Sequence, residues 1–234
     1  MNSRERVFTV LDKKEADRVA IQAHYVPQVT KELEQKYNLT GYDLQTHLGN
    51  DILLVTFGVS TGFYKENTDT YTDDFGIQYK NTGLYTEVHK SPLDTEEKVA
   101  NFTLPPINEE EVAEKTAGVI EKYGKDYFIV GKINQTMFES AWMLRGLDRF
   151  LMDLALNPDL ALSLMDKLLN YHKSIGKILV NQGVDLIYTG DDVGAQNGML
   201  ISPEFFREHM KPRYQQLWRD RKSTRLNSSH RYVS

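Results

Sequence analysis

An α/β fold built on a parallel sheet is predicted by three features of the sequence. Short apolar runs suited to buried strands alternate with longer segments of helical periodicity. No linker and no internal repeat divides the 234 residues, so one architecture runs through most of the chain. The stretch 63–89 differs: it is rich in Thr, Tyr, Asp and Gly, with local alternation in GIQYK and LYTEVH. It reads as a β-hairpin-like excursion from the main sheet.

Taken in order, Ser3 to Leu11 reads as an amphipathic helix with Val7, Phe8 and Leu11 on one side. Arg18 to Ala23 reads as a first core strand, and helices follow over Val29 to Tyr37 and Gly41 to Gly49. Asp51 to Phe57 (DILLVTF) is a near-continuous apolar run, as in a strand covered on both faces. After the excursion, Asp94 to Phe102 and Asn108 to Tyr123 read as helices. The second is capped by Asn108, has an acidic first turn and is stopped by Gly124. Tyr127 to Ile133 (YFIVGKI) is another buried strand, and Met137 to Leu156 reads as one helix. Pro158 starts a helix to about Asn181, closed by Gly183, before a strand at Leu186 to Tyr188. About four β/α units are therefore expected.

Composition narrows the function classes. The chain has 28 Lys+Arg against 33 Asp+Glu, a net charge of −5, and no basic stripe of the kind nucleic-acid binding needs. No apolar run is long enough to span a bilayer, and no signal-peptide core follows Met1. No membrane partner and a cytoplasmic location are the expectations. The absence of cysteine excludes disulfides and thiolate metal sites within this chain.

The C-terminus reads differently. Asp220 to His230 (DRKSTRLNSSH) is identical to a translation of a common indexed sequencing adapter, and the segment has no apolar periodicity. The expected division is a partial enzyme domain over 1–219 and a non-native tail over 220–234. Without that tail the chain would hold 24 Lys+Arg and 32 Asp+Glu, a net charge of −8.

The stretch Asp185 to Trp218 carries the most information. A short strand enters a loop with Asp191, Asp192 and the glycines Gly190, Gly194 and Gly198. A helix is then announced by Ser202 as cap, Pro203 at its first position and Glu204 in its first turn. These residues, with Phe206, Arg207, Glu208, Lys211, Pro212 and Tyr214, follow a D-D-x-G…S-P-E-x-F-R-E…K-P-x-Y pattern. In this the chain resembles the uroporphyrinogen decarboxylase family, over nearly all of Arg4 to Trp218.

The resemblance implies a (β/α)8 TIM barrel, here an incomplete one of about four β/α units with the excursion. A closed barrel takes about 250 residues. A part-barrel leaves sheet edges and an apolar face open, so self-association is expected. Function in a parallel barrel sits at the C-terminal strand ends. That rule nominates His24, Asn134, Tyr188, Asp191 and Asp192, with Lys132 near the same level. Asp192 is the candidate for proton transfer, while Asp191, His24, Asn134, Trp142 and Tyr188 are candidates for substrate binding. For both aspartates the structural alternative is a loop carboxylate capping backbone amides.

Asp51 is a second catalytic candidate through the resemblance alone. Family decarboxylases hold pyrrole N–H groups with an aspartate in an S-D-I-L-like run, matched here by Asn50-Asp51-Ile52-Leu53. Its place at the start of a strand argues instead for a cap or turn. Near His24, the family's R-Q-A-G-R-Y-L-P-like run keeps Gln22, Ala23, Tyr25 and Pro27 but loses both arginines. Arginine is the natural partner of a substrate with eight carboxylates, so this departure bears on substrate choice. Trp142 falls near the family's pocket tyrosine, and helix packing is its alternative role.

Asp74-Phe75-Gly76 resembles a kinase magnesium motif without the motifs that accompany it. The sequons at Asn38, Asn101 and Asn134 carry little weight without a secretory signal. His47, His89, His172 and His209 show no zinc spacing, so no metal site is expected in this chain.

The resemblance implies a cofactor-free carboxy-lyase acting on a tetrapyrrole of porphyrin biosynthesis or a related substrate. A second expectation is a zinc-dependent methyltransferase exchanging methyl groups with a corrinoid protein, its metal ligands outside this chain. A third is a non-catalytic tetrapyrrole or corrinoid binder, or an inactive fragment. A homodimer of the full-length parent is the expected assembly.

Overall fold

The computed structural model describes residues 1–59, 68–82 and 85–219. The expected tail, 220–234, and part of the excursion lie outside the described residues.

Three parallel strands form the main sheet, in the order β1 (Ile52–Gly58), β5 (Phe128–Asn134), β6 (Leu186–Thr189). The register sets Leu54 beside Val130 and Leu186, then Thr56 beside Lys132 and Tyr188 two residues on. Strand side chains alternate between faces, so each trio shares one face. The opposite face carries Leu53, Val55, Ile129, Ile133 and Ile187. These pack with Val112 and Val119 of α5 (Glu109–Tyr123) and Ile175 and Leu179 of α8 (Pro158–Gln182).

The N-terminal third closes the lower end of the first face. Helix α1 (Ser3–Leu11) is capped by Asn2 and Glu5 in a reciprocal capping box and buries Val7 against Phe128 and Val130. It also sends two arginines to the N-terminal strand ends. Arg4 binds Asp185 at 2.5 Å, and Arg6 binds Asp51 at 2.6 Å.

The expected strand at Arg18 to Ala23 is a correction. This segment carries no β-ladder and precedes α2 (Pro27–Tyr37) and α3 (Gly41–His47) as irregular chain. Its backbone is satisfied by side chains instead. The Ile21 amide donates to Asp51 Oδ2 and the Ala23 amide to Asn50 Oδ1, while Asn50 Nδ2 donates to the Ala23 carbonyl. Val19 and Ile21 remain exposed. Three paired parallel strands therefore stand where four were expected.

The excursion is an antiparallel sheet of β2 (Thr70–Thr72), β3 (Gln78–Asn81) and β4 (Thr86–Lys90), in that order. Its turn explains the kinase lookalike. Asp73 accepts from the Phe75 and Ile77 amides and the Tyr79 hydroxyl, and Gly76 takes φ 81. Tyr79 is buried and stacks on Tyr71.

The expected helix over Met137 to Leu156 is two helices, α6 (Phe138–Arg145) and α7 (Leu147–Leu156). Gly146 sits between them at φ 91 and ψ 134, a conformation foreign to a helix and strained for any other residue. Arg145 then reaches Asp153 of α7 and the Leu93 carbonyl, and all three sites are buried. Helix α4 (Glu96–Asn101) runs before α5.

Helix α8 joins the parts. Its N-terminal half buries Leu164, Met165 and Leu168 with the excursion and α6–α7, and its C-terminal half buries Ile175 and Leu179 under the sheet. It ends at Gly183 with φ 93, as its sequence indicates. Beyond β6 the loop forms the small ribbon β7 (Gly194–Ala195) and β8 (Gly198–Met199). Ser202 then caps α9 (Pro203–Phe205) through the Phe205 amide. The helix continues through a π turn over Phe206–Met210 into α10 (Lys211–Arg219).

Candidate active site

Along the alpha1-facing side of the main sheet, residue chemistry changes with height. The lower rows are Ile52 with Phe128, then Leu54 with Val130 and Leu186, all apolar. The next row up is Thr56, Lys132 and Tyr188. Apolar side chains thus fill the N-terminal end, and polar ones collect at the C-terminal end where parallel α/β folds work. Tyr188 is 50% exposed there, with Lys132 Nζ 5.9 Å from its ring centroid. His24 follows Ala23, which is held by Asn50, and is close enough to Lys132 to feel its charge.

Helix α6 brings an acid to this row. Glu139 Oε2 accepts from the Asp192 amide at 2.9 Å. Burial pushes the Glu139 carboxyl up from its ordinary value; the nearby charges of Asp191 and Asp192 add to this, and the Asp192 amide and Lys132 oppose it. Burial pushes the Lys132 ammonium down, with Glu139 opposing. His24 is lowered as well, by burial first and by Lys132 second. An acid moved up and a base moved down at one strand-end cluster is the pattern of paired acid–base groups.

Asp191 does something else. Its Oδ2 accepts from the Thr136 hydroxyl, the Met137 and Phe138 amides and the Tyr214 hydroxyl, and its Oδ1 from the Glu139 amide, all at 2.7–3.1 Å. These contacts fill a carboxylate's acceptor capacity. Asp191 is the N-terminal cap of α6 supplied from another element, and it fixes where Glu139 stands. The Tyr214 hydroxyl is pushed up by its burial, then by the Asp191 charge, and stays protonated as a donor.

Asp192 is exposed, and its Oδ1 accepts from the Gly194 amide at 3.0 Å. It remains open to solvent beside Glu139. Asn134 reaches the same strand end but is buried, with its Nδ2 unpaired. It lies near Gly58 and buried His172: a Cβ on Gly58 would fall 2.9 Å from the Asn134 carbonyl and 3.5 Å from His172 Nε2. Gln135, next in the chain, holds φ 37 and receives the Ser140 hydroxyl on its carbonyl.

Asp51 is at the other end. It precedes β1, is fully buried, and accepts from Arg6, from both Arg18 terminal nitrogens and from the Ile21 amide. Burial pushes its carboxyl up, but hydrogen bonds from Arg18, Ser3, the Ile21 amide and Arg6 outweigh this and hold it below its ordinary value. The structure therefore separates Asp51 from the C-terminal cluster and makes it the anchor of the N-terminal segment. Trp142 also stands apart, half-buried on α6 and facing a cleft beside β4.

The structure thus gathers His24, Tyr188 and Asp192, and adds Lys132 and Glu139. Sequence reasoning placed Lys132 near the strand end but passed over Glu139. Its signal was faint: one acid in the first turn of an otherwise apolar helix.

A match to the family described as uroporphyrinogen decarboxylase (URO-D) spans residues 73–228, two thirds of the chain. The chain belongs to the uroporphyrinogen decarboxylase family. A solved methyltransferase from Methanosarcina mazei superimposes with a TM-score of 0.62 at 19% identity. The alignment covers 93% of this chain and 66% of that one, so the chain spans about two thirds of that structure's length. Identity this low speaks for the fold alone. No curated protein matches the chain.

Zinc does not fit the residues present. Among the described residues no three His, Cys, Asp or Glu side chains gather as a metal site, and the chain has no cysteine. No helix among the described residues is long and apolar enough to cross a membrane.

Proposed function

We propose that this URO-D chain supplies the acid–base side of a cofactor-free carboxy-lyase for a small acidic ring compound. The observation that carries the reading is the Lys132–Glu139 pair at the C-terminal row, with opposed pKa displacements. In this reading Lys132 and His24 orient the acid arm and Tyr188 lies along the ring. Glu139, whose burial favours its protonated form, donates a proton to the substrate. The carbon–carboxylate bond breaks, its electron pair stays with the ring system, and carbon dioxide leaves. The sum is one carboxylate and one proton consumed for one C–H bond and one carbon dioxide. Solvent returns the proton to Glu139.

The substrate is an acid with fewer carboxylates than uroporphyrinogen. Arg6 and Arg18 are spent on Asp51, and the polar row offers lysine and histidine rather than forked guanidiniums. A second reading, methyl transfer, is favoured by the name of the solved neighbour. No step of it is assigned to the residues described.

Equilibrium binding separates the two. Coproporphyrin, uroporphyrin and methylcobalamin would be titrated separately into the purified chain and into Lys132→Met, following ligand absorbance. The lyase reading expects coproporphyrin to bind more tightly than uroporphyrin, and to weaken in Lys132→Met. Binding of methylcobalamin alone would overturn it in favour of methyl transfer.

A further inference from the structure

A cleft of about 430 Å³ opens between the end of β4 and the α6–α7 junction. Its lining includes none of Lys132, Glu139, Tyr188 or Asp192. Three features of its wall point to one kind of ligand. Lys90 and Arg149 both face it, and neither has an ion-pair partner among the described residues. The acid on the wall, Asp94, pairs with Lys98 at 2.6 Å, and Arg149 acts on it only as the smallest of several influences. Trp142 contributes a half-buried indole, and His89 and Ser91 add hydrogen-bonding groups.

The helix break shapes this wall. Gly146 turns at φ 91, and a Cβ there would stand 3.4 Å from Arg149 Nη1 and 3.8 Å from Ser91 Oγ. Those are ordinary contact distances, so the positive φ of the turn, and not missing volume, is what asks for glycine between Arg149 and Ser91. An uninterrupted helix over 138–156 would place residues 142 and 149 on a single rod with no such turn.

We propose that this cleft is a second binding site, for a small oxyanion carried on a planar ring. The cations take the oxyanion, Arg149 presenting its planar fork beside the Ser91 hydroxyl. The indole face takes the ring. The volume lies within the range of small-molecule sites. The anion is a carboxylate or a phosphate ester, since the wall offers donors suited to both. The site is independent of the lyase reading, because none of the proposed catalytic groups lines it.

The chain holds two tryptophans, Trp142 and Trp218, so Trp218→Phe leaves Trp142 as the sole reporter. Benzoate, phenyl phosphate and uncharged benzamide would each be titrated into that variant while following indole fluorescence. Benzoate or phenyl phosphate, or both, should saturate the signal, and the tighter of the two identifies the anion. Benzamide should bind more weakly than either. Lys90→Gln and Arg149→Gln, both surface changes, should each weaken the better ligand by about threefold or more, the scale of an exposed ion pair. Lys132→Met should leave the titration unchanged. Equal binding of benzamide, insensitivity to both Gln variants, or loss of binding in Lys132→Met would each overturn the proposal. Failure here would leave the lyase reading intact, since that rests on Lys132 and a different ligand set.

Discussion

Asp191 and Glu139 hold each other's elements in both directions. The Glu139 amide donates to Asp191 Oδ1 at 2.7 Å, and the Asp192 amide donates to Glu139 Oε2 at 2.9 Å. The exchange is a capping box between two segments far apart in sequence. A local capping box sets a helix start; this one also sets the height of the β6 loop against α6. Through it the family's two adjacent aspartates divide their work. Asp191 positions, and Asp192 stays exposed beside the acid.

Asp191→Ala should therefore act on stability before chemistry. It removes a cap and leaves three amides and the Tyr214 hydroxyl without their acceptor. The expected loss is about 2–4 kcal/mol in urea unfolding, from one cap plus unsatisfied donors. Asp192→Ala should cost far less, about 0.5 kcal/mol or below, because it touches only an exposed turn.

Glu139→Gln should separate stability from activity. The amide oxygen keeps the Asp192 contact, and the buried charge that raises the carboxyl pKa is gone. Because the Glu139 pKa is raised on folding, its ionisation opposes folding as pH climbs through the folded value. The variant should thus match the parent below the carboxyl's ordinary value and become the more stable of the two as pH rises above it. Turnover in a decarboxylation assay should fall by about 10²–10⁴-fold, the usual contribution of a general acid. Lys132→Met should instead act mainly on KM. A Gln variant that keeps full turnover would remove Glu139 from the mechanism.

Much of the fold was legible because burial repeats. The runs at 51–57 and 127–133 are strands, and the periodicity from Pro158 gives α8 with its caps. The errors have local physical causes. Arg18 to Ala23 looked like a strand, yet Asn50 and Asp51 side chains took the hydrogen bonds a neighbouring strand would have made. The Met137 to Leu156 periodicity hid a break, since Gly146 is common enough inside helices to pass unnoticed. The strand-end rule pointed to Asn134, Tyr188, Asp191 and Asp192, which lie at or just beyond the ends of β5 and β6, while the segment that nominated His24 carries no β-ladder. Glu139 escaped because its meaning depends on Asp192, which lies 53 residues away. For Asp51 two roles were open in the sequence, and the motif does not say at which end of a strand the carboxylate finds arginine; it stands at the N-terminal end, with Arg6 and Arg18.

The Asp51 anchor makes a prediction at acid pH. Asp17 and Asp51 share Arg6. The Arg6 guanidinium brings the Asp17 carboxyl down to about 2, and Asp51 is also lowered. Groups lowered on folding stabilise the fold above their unfolded values and lose that contribution as pH falls through the folded ones. Stability should thus decline between about pH 4 and pH 2. Asp17→Asn should shrink that decline by lowering stability at pH 7, where the Arg6 pairing is fully present, while changing little near pH 2. Asp51→Ala should be damaging at every pH, by about 3–5 kcal/mol, because it removes one of the two partners of buried Arg6 and the acceptor of Arg18 and the Ile21 amide. An Asp51→Ala chain as stable as the parent would refute the anchor role.

His172 adds a separate loss at higher pH. It is fully buried on α8, both ring nitrogens lack hydrogen-bond partners, and burial brings its pKa down to about 4. Weak backbone contacts to Thr136 and Leu168 oppose that shift without reversing it. The unfolded imidazole protonates near its ordinary value of 6.5, while the folded one resists until about 4. The unfolded state therefore binds more protons throughout that window, and stability falls as pH drops from about 6.5 to about 4. At about 1.4 kcal/mol per pKa unit the loss is roughly 3 kcal/mol. His172→Leu should remove most of this slope, leaving the part that lowered His24 contributes, and match or exceed the parent's stability at pH 7, since it removes two unpaired polar atoms. Urea midpoints measured at half-unit pH steps would test both parts. The slope should shrink sharply in His172→Leu while the decline below pH 4 survives, because that decline belongs to lowered carboxyls such as Asp17 and Asp51. If the slope persists in His172→Leu, the imidazole is not its source.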